Sequence, residues 1–272
     1  MTAPDGGPAG IWYVAVPSAA VQAAAAQTGD GLYGGLFGGL GAFLSPQERD
    51  ASLRFRREED RLDYPASHSL FRLLAAWRLG LEPHDAAGLE VRRTCASCGS
   101  IEHGKPSIEG VGMSMSRSHG TVMAAAGPAG TSLGADIEKA PTQVFDGFDG
   151  FAVAPGEGLG QDGLDVSDAS DADRIRLWVA KEAVLKAAGV GLAVDPSAVR
   201  LVPAGAHNVL RAESPGTPAV HGLLVGAVSA PPGYAAAVSA RSGVPAQSLS
   251  LSEIFSTKGS GANIKRLTFR NG

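Results

Sequence analysis

The run Trp178-Val-Ala-Lys181-Glu182-Ala-Val-Leu-Lys186-Ala-Ala-Gly189-Val-Gly191-Leu192 carries an aromatic ring, a carboxylate and an ammonium at intervals of four. On a helix, Trp178, Glu182 and Lys186 share one face. A carboxylate and an ammonium one turn apart can hold a metal and touch a phosphate together. The same spacing also describes an ordinary exposed ion pair. Gly134-Ala135-Asp136-Ile137-Glu138 is a second such element. As a strand it points Asp136 and Glu138 to one side, where two carboxylates repel unless a cation or solvent relieves them. Hard oxygen donors of this kind suit Mg²⁺ beside phosphates. A solvent-facing edge strand has the same alternation. The third element is Gly104-Lys105-Pro106, followed by Ser114-Met115-Ser116-Arg117-Ser118-His119-Gly120. A lysine beside a proline-stiffened turn can contact a phosphate, and alternating hydroxyls next to an arginine fork suit the same ligand. A polar turn and a half-buried strand would read alike.

Other residues invite chemistry less strongly. Arg54, Arg56, Arg57 and Arg61 cluster, and Arg92 and Arg93 follow. A basic patch on a chain of net charge −4 suits a small polyanion better than a polymer, although a solvated helix face is the plainer reading. Cys95-Ala-Ser-Cys98 with His103 invites a zinc reading. No second cysteine pair exists and a closed site needs four ligands, so two thiols are the expectation.

The elements that must position these residues are legible in outline. Ile11 to Val16 is a short β-like run, and Gly29 to Gly41 reads as a glycine-rich loop without the ending of a phosphate-cradling loop. Ser45-Pro46 opens a helix. A longer helix carries Leu70, Phe71, Leu74 and Trp77 on one face and ends at Gly80, with Pro65 either starting or kinking it. Val111 to Ala126 and Thr131 to Glu138 are β-like and joined by Gly127-Pro128-Ala129-Gly130. A helix runs from about Asp173 to Ala188 and stops at Gly189; Val199 to Val202 and Tyr234 to Ser239 are later strands. Residues 1–10 are expected to be disordered and the polar end, from Gln247, to be a mobile tail. One internal echo stands out: helix, Gly80-Leu81, Pro83, Val91-Arg92 against helix, Gly191-Leu192, Pro196, Val199-Arg200. It suggests two related halves around a shared cleft.

At 44% hydrophobic and 18% charged, the 272 residues can pack a core, and no apolar run reaches the length of a membrane span. The acidic balance argues against a general nucleic-acid binder. Met1 to Gly10 does not read as a signal peptide. With only two cysteines, a cytoplasmic location is expected.

Taken together, order and spacing over about residues 45–242 resemble the phosphopantetheinyl transferases of the surfactin-synthetase type. That family carries Gly-x-Asp-x-Glu and, some forty to fifty residues on, Trp-x-x-Lys-Glu-x-x-x-Lys. Its Gly-Lys-Pro is matched by Gly104 to Pro106 and its Ser-His-Ser by Ser116-Arg117-Ser118, while Phe151 to Glu157 resembles its Phe-x-x-x-Glu region loosely. The resemblance implies an α+β fold, a pseudo-dimer of two similar halves (11–130 and 131–242, with a polar tail at 243–272) and an active site between them. It implies transfer of the 4′-phosphopantetheine arm of coenzyme A to a serine of an acyl or peptidyl carrier protein, in polyketide, nonribosomal peptide or fatty-acid synthesis, by a monomer. Asp136, Glu138 and Glu182 would hold Mg²⁺; Glu182, Lys186 and Asp136 would be catalytic, with Glu182 as base. Coenzyme A, the co-substrate, would meet Lys105, Pro106, Ser116, Arg117 and Lys186, with Arg57, Arg61 and His68 toward its nucleotide end. Two departures stand out. Arg117 replaces a histidine common in the family, keeping the charge but not suiting proton exchange. The basic positions some relatives carry after Ser45-Pro46 are Glu48 and Ala51. An inactive relative that binds coenzyme A or a carrier without turnover is the main alternative; a nucleotide hydrolase is a third.

Overall fold

The computed structural model describes residues 10–28, 36–95, 98–140, 143–159, 163–205, 208–242 and 244–256. The fold is mixed α+β. Strand β1 (Trp12–Pro17) runs directly into helix α1 (Ser18–Thr28). Helix α2 (Pro46–Ser52) starts in a reciprocal capping box between Ser45 and Glu48, with Pro46 in its first turn. Helix α3 (Glu58–Leu79) stops at Gly80, whose φ of 76° is a left-handed cap. Pro65 lies inside α3 and neither starts nor ends it. The buried stripe Ala66, Leu70, Phe71, Leu73 and Leu74 holds the helix through the lost hydrogen bond.

A short hairpin, β2 (Arg92–Thr94) with β3 (Lys105–Ser107), precedes β4 (Gly112–Ser118), β5 (Thr121–Gly127) and β6 (Leu133–Lys139). The apolar run from 111 to 126 is thus two strands, turned at His119 and Gly120, whose φ values are 44° and 83°. After α4 (Phe148–Ala152), helix α5 (Asp171–Ala188) opens in a Ser170–Asp173 capping box and ends at Gly189, φ 74°. Strands β7 (Arg200–Pro203), β8 (Val209–Glu213), β9 (Leu224–Val228) and β10 (Tyr234–Ala240) follow; β8 and β9 were not anticipated. The chain then returns to the first half as β11 (Gln247–Ser248) and α6 (Leu251–Phe255).

One sheet has the order β11-β1-β5-β4, the other β6-β10-β9-β8-β7. In both, the first strand of the half pairs antiparallel with its last, which pairs with the one before it: β1-β5-β4 and β6-β10-β9. Helix α3 covers the first sheet over one apolar core, and α5 covers the second over another. A third core joins the sheets through Ile11, Tyr13, Met123 and Ala125 on one side and Leu133, Ala135, Ile137 and Val238 on the other. The expected mobile tail is corrected for residues 247–256. Gln247 pairs with Trp12, and Leu249, Ile254 and Phe255 are buried against the first core, which outweighs the polar look of the segment. Of the stretch 1–10 expected to be disordered, residues 1–9 lie outside the described residues, as do residues 29–35 of the Gly29–Gly41 loop and residues 257–272. Among the described residues no helix is long and apolar enough to cross a membrane.

Candidate active site

The site forms where β4, β6 and α5 meet, and a glycine makes the meeting possible. A Cβ on Gly134 would lie 1.8 Å from the Ala183 carbonyl oxygen and 2.5 Å from the Ala187 nitrogen. Only glycine lets the α5 backbone come this close to β6. Alternation then places Asp136 and Glu138 on the Gly134 side, under α5, while Ala135 and Ile137 enter the third core.

From α5, Lys186 Nζ reaches Asp136 Oδ1 at 2.5 Å and donates to Ser116 Oγ at 3.0 Å. Ser116 Oγ donates to the same Asp136 oxygen at 2.8 Å, and Ser118 Oγ donates to Glu138 Oε2 at 2.6 Å. The serines also join the sheets: Ser114 Oγ accepts from Ala135 N at 2.9 Å and Ser118 Oγ from Lys139 N at 3.2 Å. Glu182, one turn before Lys186, lies half-buried within electrostatic reach of both acids. Burial raises its proton affinity first, the Asp136 charge adds to this, Lys186 opposes it and Glu138 contributes a little more. Glu138 is likewise raised by burial and by Asp136, against the Ser118 hydrogen bond and Lys186.

Asp136 is 1% exposed, and its Oδ2 is buried with no hydrogen-bond partner among the described residues. A buried orphan carboxylate oxygen calls for a cation or a donor. Two neighbouring carboxyls whose charged forms are disfavoured add to that demand, so the donor set fits a hard divalent ion. The three carboxylates do not all lie within 4.8 Å of one another.

A cleft of about 290 Å³ adjoins this cluster, lined by Lys105, Pro106, Ser114, Lys186 and the turn after α5, Gly189–Gly191. Lys105 Nζ donates to the carbonyls of Leu133, at 2.7 Å, and Ala187, at 3.4 Å. Burial lowers its pKa to about 8. It is a desolvated cation beside carbonyls, a state an anion would relieve.

The remaining expected ligand contacts are dispersed. Ser116 faces Asp136, but alternation turns Arg117 to the α3 side, its guanidinium 5.4 Å from the Tyr64 ring centre and 5.8 Å from that of Phe55. His68 is 4% exposed and stacks on Tyr64, with Nδ1 2.9 Å from Glu48 Oε1. Burial lowers its pKa, opposed by Glu48, and it lines neither cavity. Glu48 is raised by burial but held at about 2 by the His68 hydrogen bond and by Arg72, whose Nε lies 2.6 Å away. So Glu48 is one member of a buried Glu48–His68–Arg72 cluster. Arg57 and Arg61 line a separate cavity of about 990 Å³ with His119 and Lys139. Strand β4 and the turn that follows it link these places: Ser114 at the cleft, Ser116 and Ser118 at the carboxylates, and His119, in the turn, at the large cavity.

Lys181 was given no role by the sequence reading. It is fully buried and its Nζ lies 2.6 Å from Glu157 Oε2, while also donating to the carbonyls of Ala152 and Pro196. Glu157 accepts from Leu201 N and Ala154 N. The Lys-Glu pair of the helical motif thus divides its labour: Lys181 faces the core and anchors neighbouring segments, and Glu182 faces the site. A charged residue on the apolar stripe of α5 was the available signal. Cys95, Cys98 and His103 come together, with ligand atoms all within 4.8 Å of one another, the only such group of three among the described residues. A scan against protein-family models gives no match, and a search of the curated proteins gives none either.

Proposed function

We propose that this chain is a Mg²⁺-dependent phosphopantetheinyl transferase, a pseudo-dimer with its active site between the halves. It moves the 4′-phosphopantetheine arm of coenzyme A to a serine of an acyl or peptidyl carrier protein. The observation that carries the reading is the assembly of Asp136 with its orphan oxygen, Glu138, Glu182 and Lys186 beside a cleft bearing Lys105. The repeated strand order of the two sheets supports the pseudo-dimer.

In this reading the carrier serine Oγ bonds to the phosphorus that bears the pantetheine arm. The anhydride bond to that phosphorus breaks, and 3′,5′-ADP leaves with the electron pair. Glu182 accepts the serine proton, directly or through a water, from its place on α5 one turn before Lys186. Lys186 stabilises charge on the phosphates, and Ser116 fixes Lys186 and Asp136 relative to each other. Asp136, Glu138 and Glu182 would hold Mg²⁺, which when bound neutralises the pyrophosphate. Lys105 and Pro106 receive part of coenzyme A in the cleft. Arg117, Arg57 and Arg61 lie outside that cleft, so any contact they make is with the ligand's outlying phosphate. A cytoplasmic monomer serving polyketide, peptide or fatty-acid carriers completes the proposal.

The test is to follow 3′,5′-ADP by chromatography with coenzyme A and Mg²⁺, with and without an apo carrier. Release only when the carrier is present supports transfer. Release without carrier would make the chain a hydrolase, and binding of coenzyme A without release a non-catalytic relative.

A further inference from the structure

The transferase reading leaves Cys95, Cys98 and His103 unused. All three lie in the loop that joins β2 to β3, directly before Lys105. Cys98 Sγ and His103 Nε2 are 3.3 Å apart, and the three ligand atoms are mutually within 4.8 Å. In a tetrahedral zinc site the corresponding separations are about 3.6 Å for sulfur to nitrogen and about 3.8 Å for sulfur to sulfur. The loop backbone holds this arrangement. Gly99 N donates to Cys95 O at 2.8 Å and Cys95 N to Ser100 O at 2.9 Å, with Gly99 at φ 72°. Gly104 closes the loop at φ 110°, where a Cβ would strike the Thr94 carbonyl at 2.4 Å. Two sulfurs and an imidazole form a soft set that prefers zinc to magnesium. Cys98 and His103 are exposed, so an ion can enter.

We propose that Cys95, Cys98 and His103 bind one Zn²⁺ with a fourth, solvent-facing position, and that the ion cross-links the β2–β3 loop. The sequence alone led to an expectation of two uninvolved thiols; three protein ligands and one exchangeable position make a recognised zinc arrangement. Each thiol gives up its proton to the buffer as its sulfur takes the metal. The site stands without the transferase reading. Its consequence, a fixed Gly104-Lys105-Pro106 turn at the cleft, rests on that reading.

The chain has two cysteines, so any thiolate–metal signal reports this pair alone. The experiment titrates the reduced full-length chain with Co²⁺, without coenzyme A or carrier, and then displaces it with Zn²⁺. One equivalent should give a thiolate charge-transfer band and the visible bands of a tetrahedral ion, both erased by Zn²⁺. Cys98→Ser should lower affinity by on the order of 100-fold, and His103→Ala should weaken it too. Hydrogen exchange should show Zn²⁺ protecting residues 91–107 in the parent but not in Cys98→Ser. Both residues are exposed, and circular dichroism verifies that the variants fold. Absence of the band, or uptake unchanged in Cys98→Ser, would overturn the proposal. So would a pair that dissolved oxygen oxidises to a disulfide equally fast with and without excess Zn²⁺. None of these outcomes bears on the transferase reading.

Discussion

Lys105 gives the most quantitative prediction. Its ammonium is half-buried, its only hydrogen-bond partners among the described residues are the Leu133 and Ala187 carbonyls, and its pKa is lowered by burial to about 8. A phosphate entering the cleft supplies the missing opposite charge and returns the pKa toward the ordinary lysine range. Binding of 3′,5′-ADP must then take up protons: about 0.1 per ligand at pH 7, about 0.5 at pH 8 and about 0.9 at pH 9. Integrated over that range, affinity falls about tenfold between pH 7 and pH 9. Calorimetry at each pH in two buffers of different ionisation heat measures both quantities. Lys105→Met should lose most of the affinity and all of this uptake, while Lys105→Arg should bind with little pH dependence. Cys95 lines the same cleft and is retained in both variants, so the comparison isolates the ammonium. Equal proton uptake in the parent and the methionine variant, or flat affinity from pH 7 to 9, would refute the reasoning. Without ligand, the same group makes stability rise between about pH 8 and 10.5. In that window the unfolded chain keeps a proton that the folded chain has lost.

Three further outcomes are expected. Glu182→Gln should abolish transfer yet melt higher at pH 8, because the folded pKa of Glu182 is raised and its cost grows as pH climbs through the carboxylate range. Differential scanning calorimetry checks the sign, and Mg²⁺ should raise the melting temperature of the parent more at pH 8 than at pH 5. Lys181→Met strands the buried Glu157 carboxylate and should cost about 3–5 kcal/mol, roughly 6–10 °C in melting temperature. Adding Glu157→Gln should recover part of this loss. Gly134→Ala forces a methyl group into the α5 backbone and should cost at least about 3 kcal/mol by urea denaturation, with loss of activity in whatever folds.

Local rules made much of the framework legible. The Ser45 cap, the glycine stops at Gly80 and Gly189 and the alternation at Asp136 and Glu138 all act within a few residues. The same alternation separates Ser116 from Arg117, but only the packing of β4 between α3 and β6 says which of them meets Asp136. Lys181 and Glu157 are 24 positions apart, and no local pattern pairs them. The β11–α6 segment looks like a solvated tail because its anchors, Leu249, Ile254 and Phe255, are few among polar neighbours. Their burial depends on a parallel pairing with β1 from the opposite end of the chain. His68 looked available on a helix until the fold placed Glu48 against it.

The most direct measurement is the intact mass of an apo carrier protein after incubation with coenzyme A, Mg²⁺ and this protein. Parallel reactions would contain Glu182→Gln or Lys186→Met. A gain of one phosphopantetheine with the parent, absent with either variant, is the predicted result. An unchanged mass across a panel of carriers, or full loading by Glu182→Gln, would contradict the account.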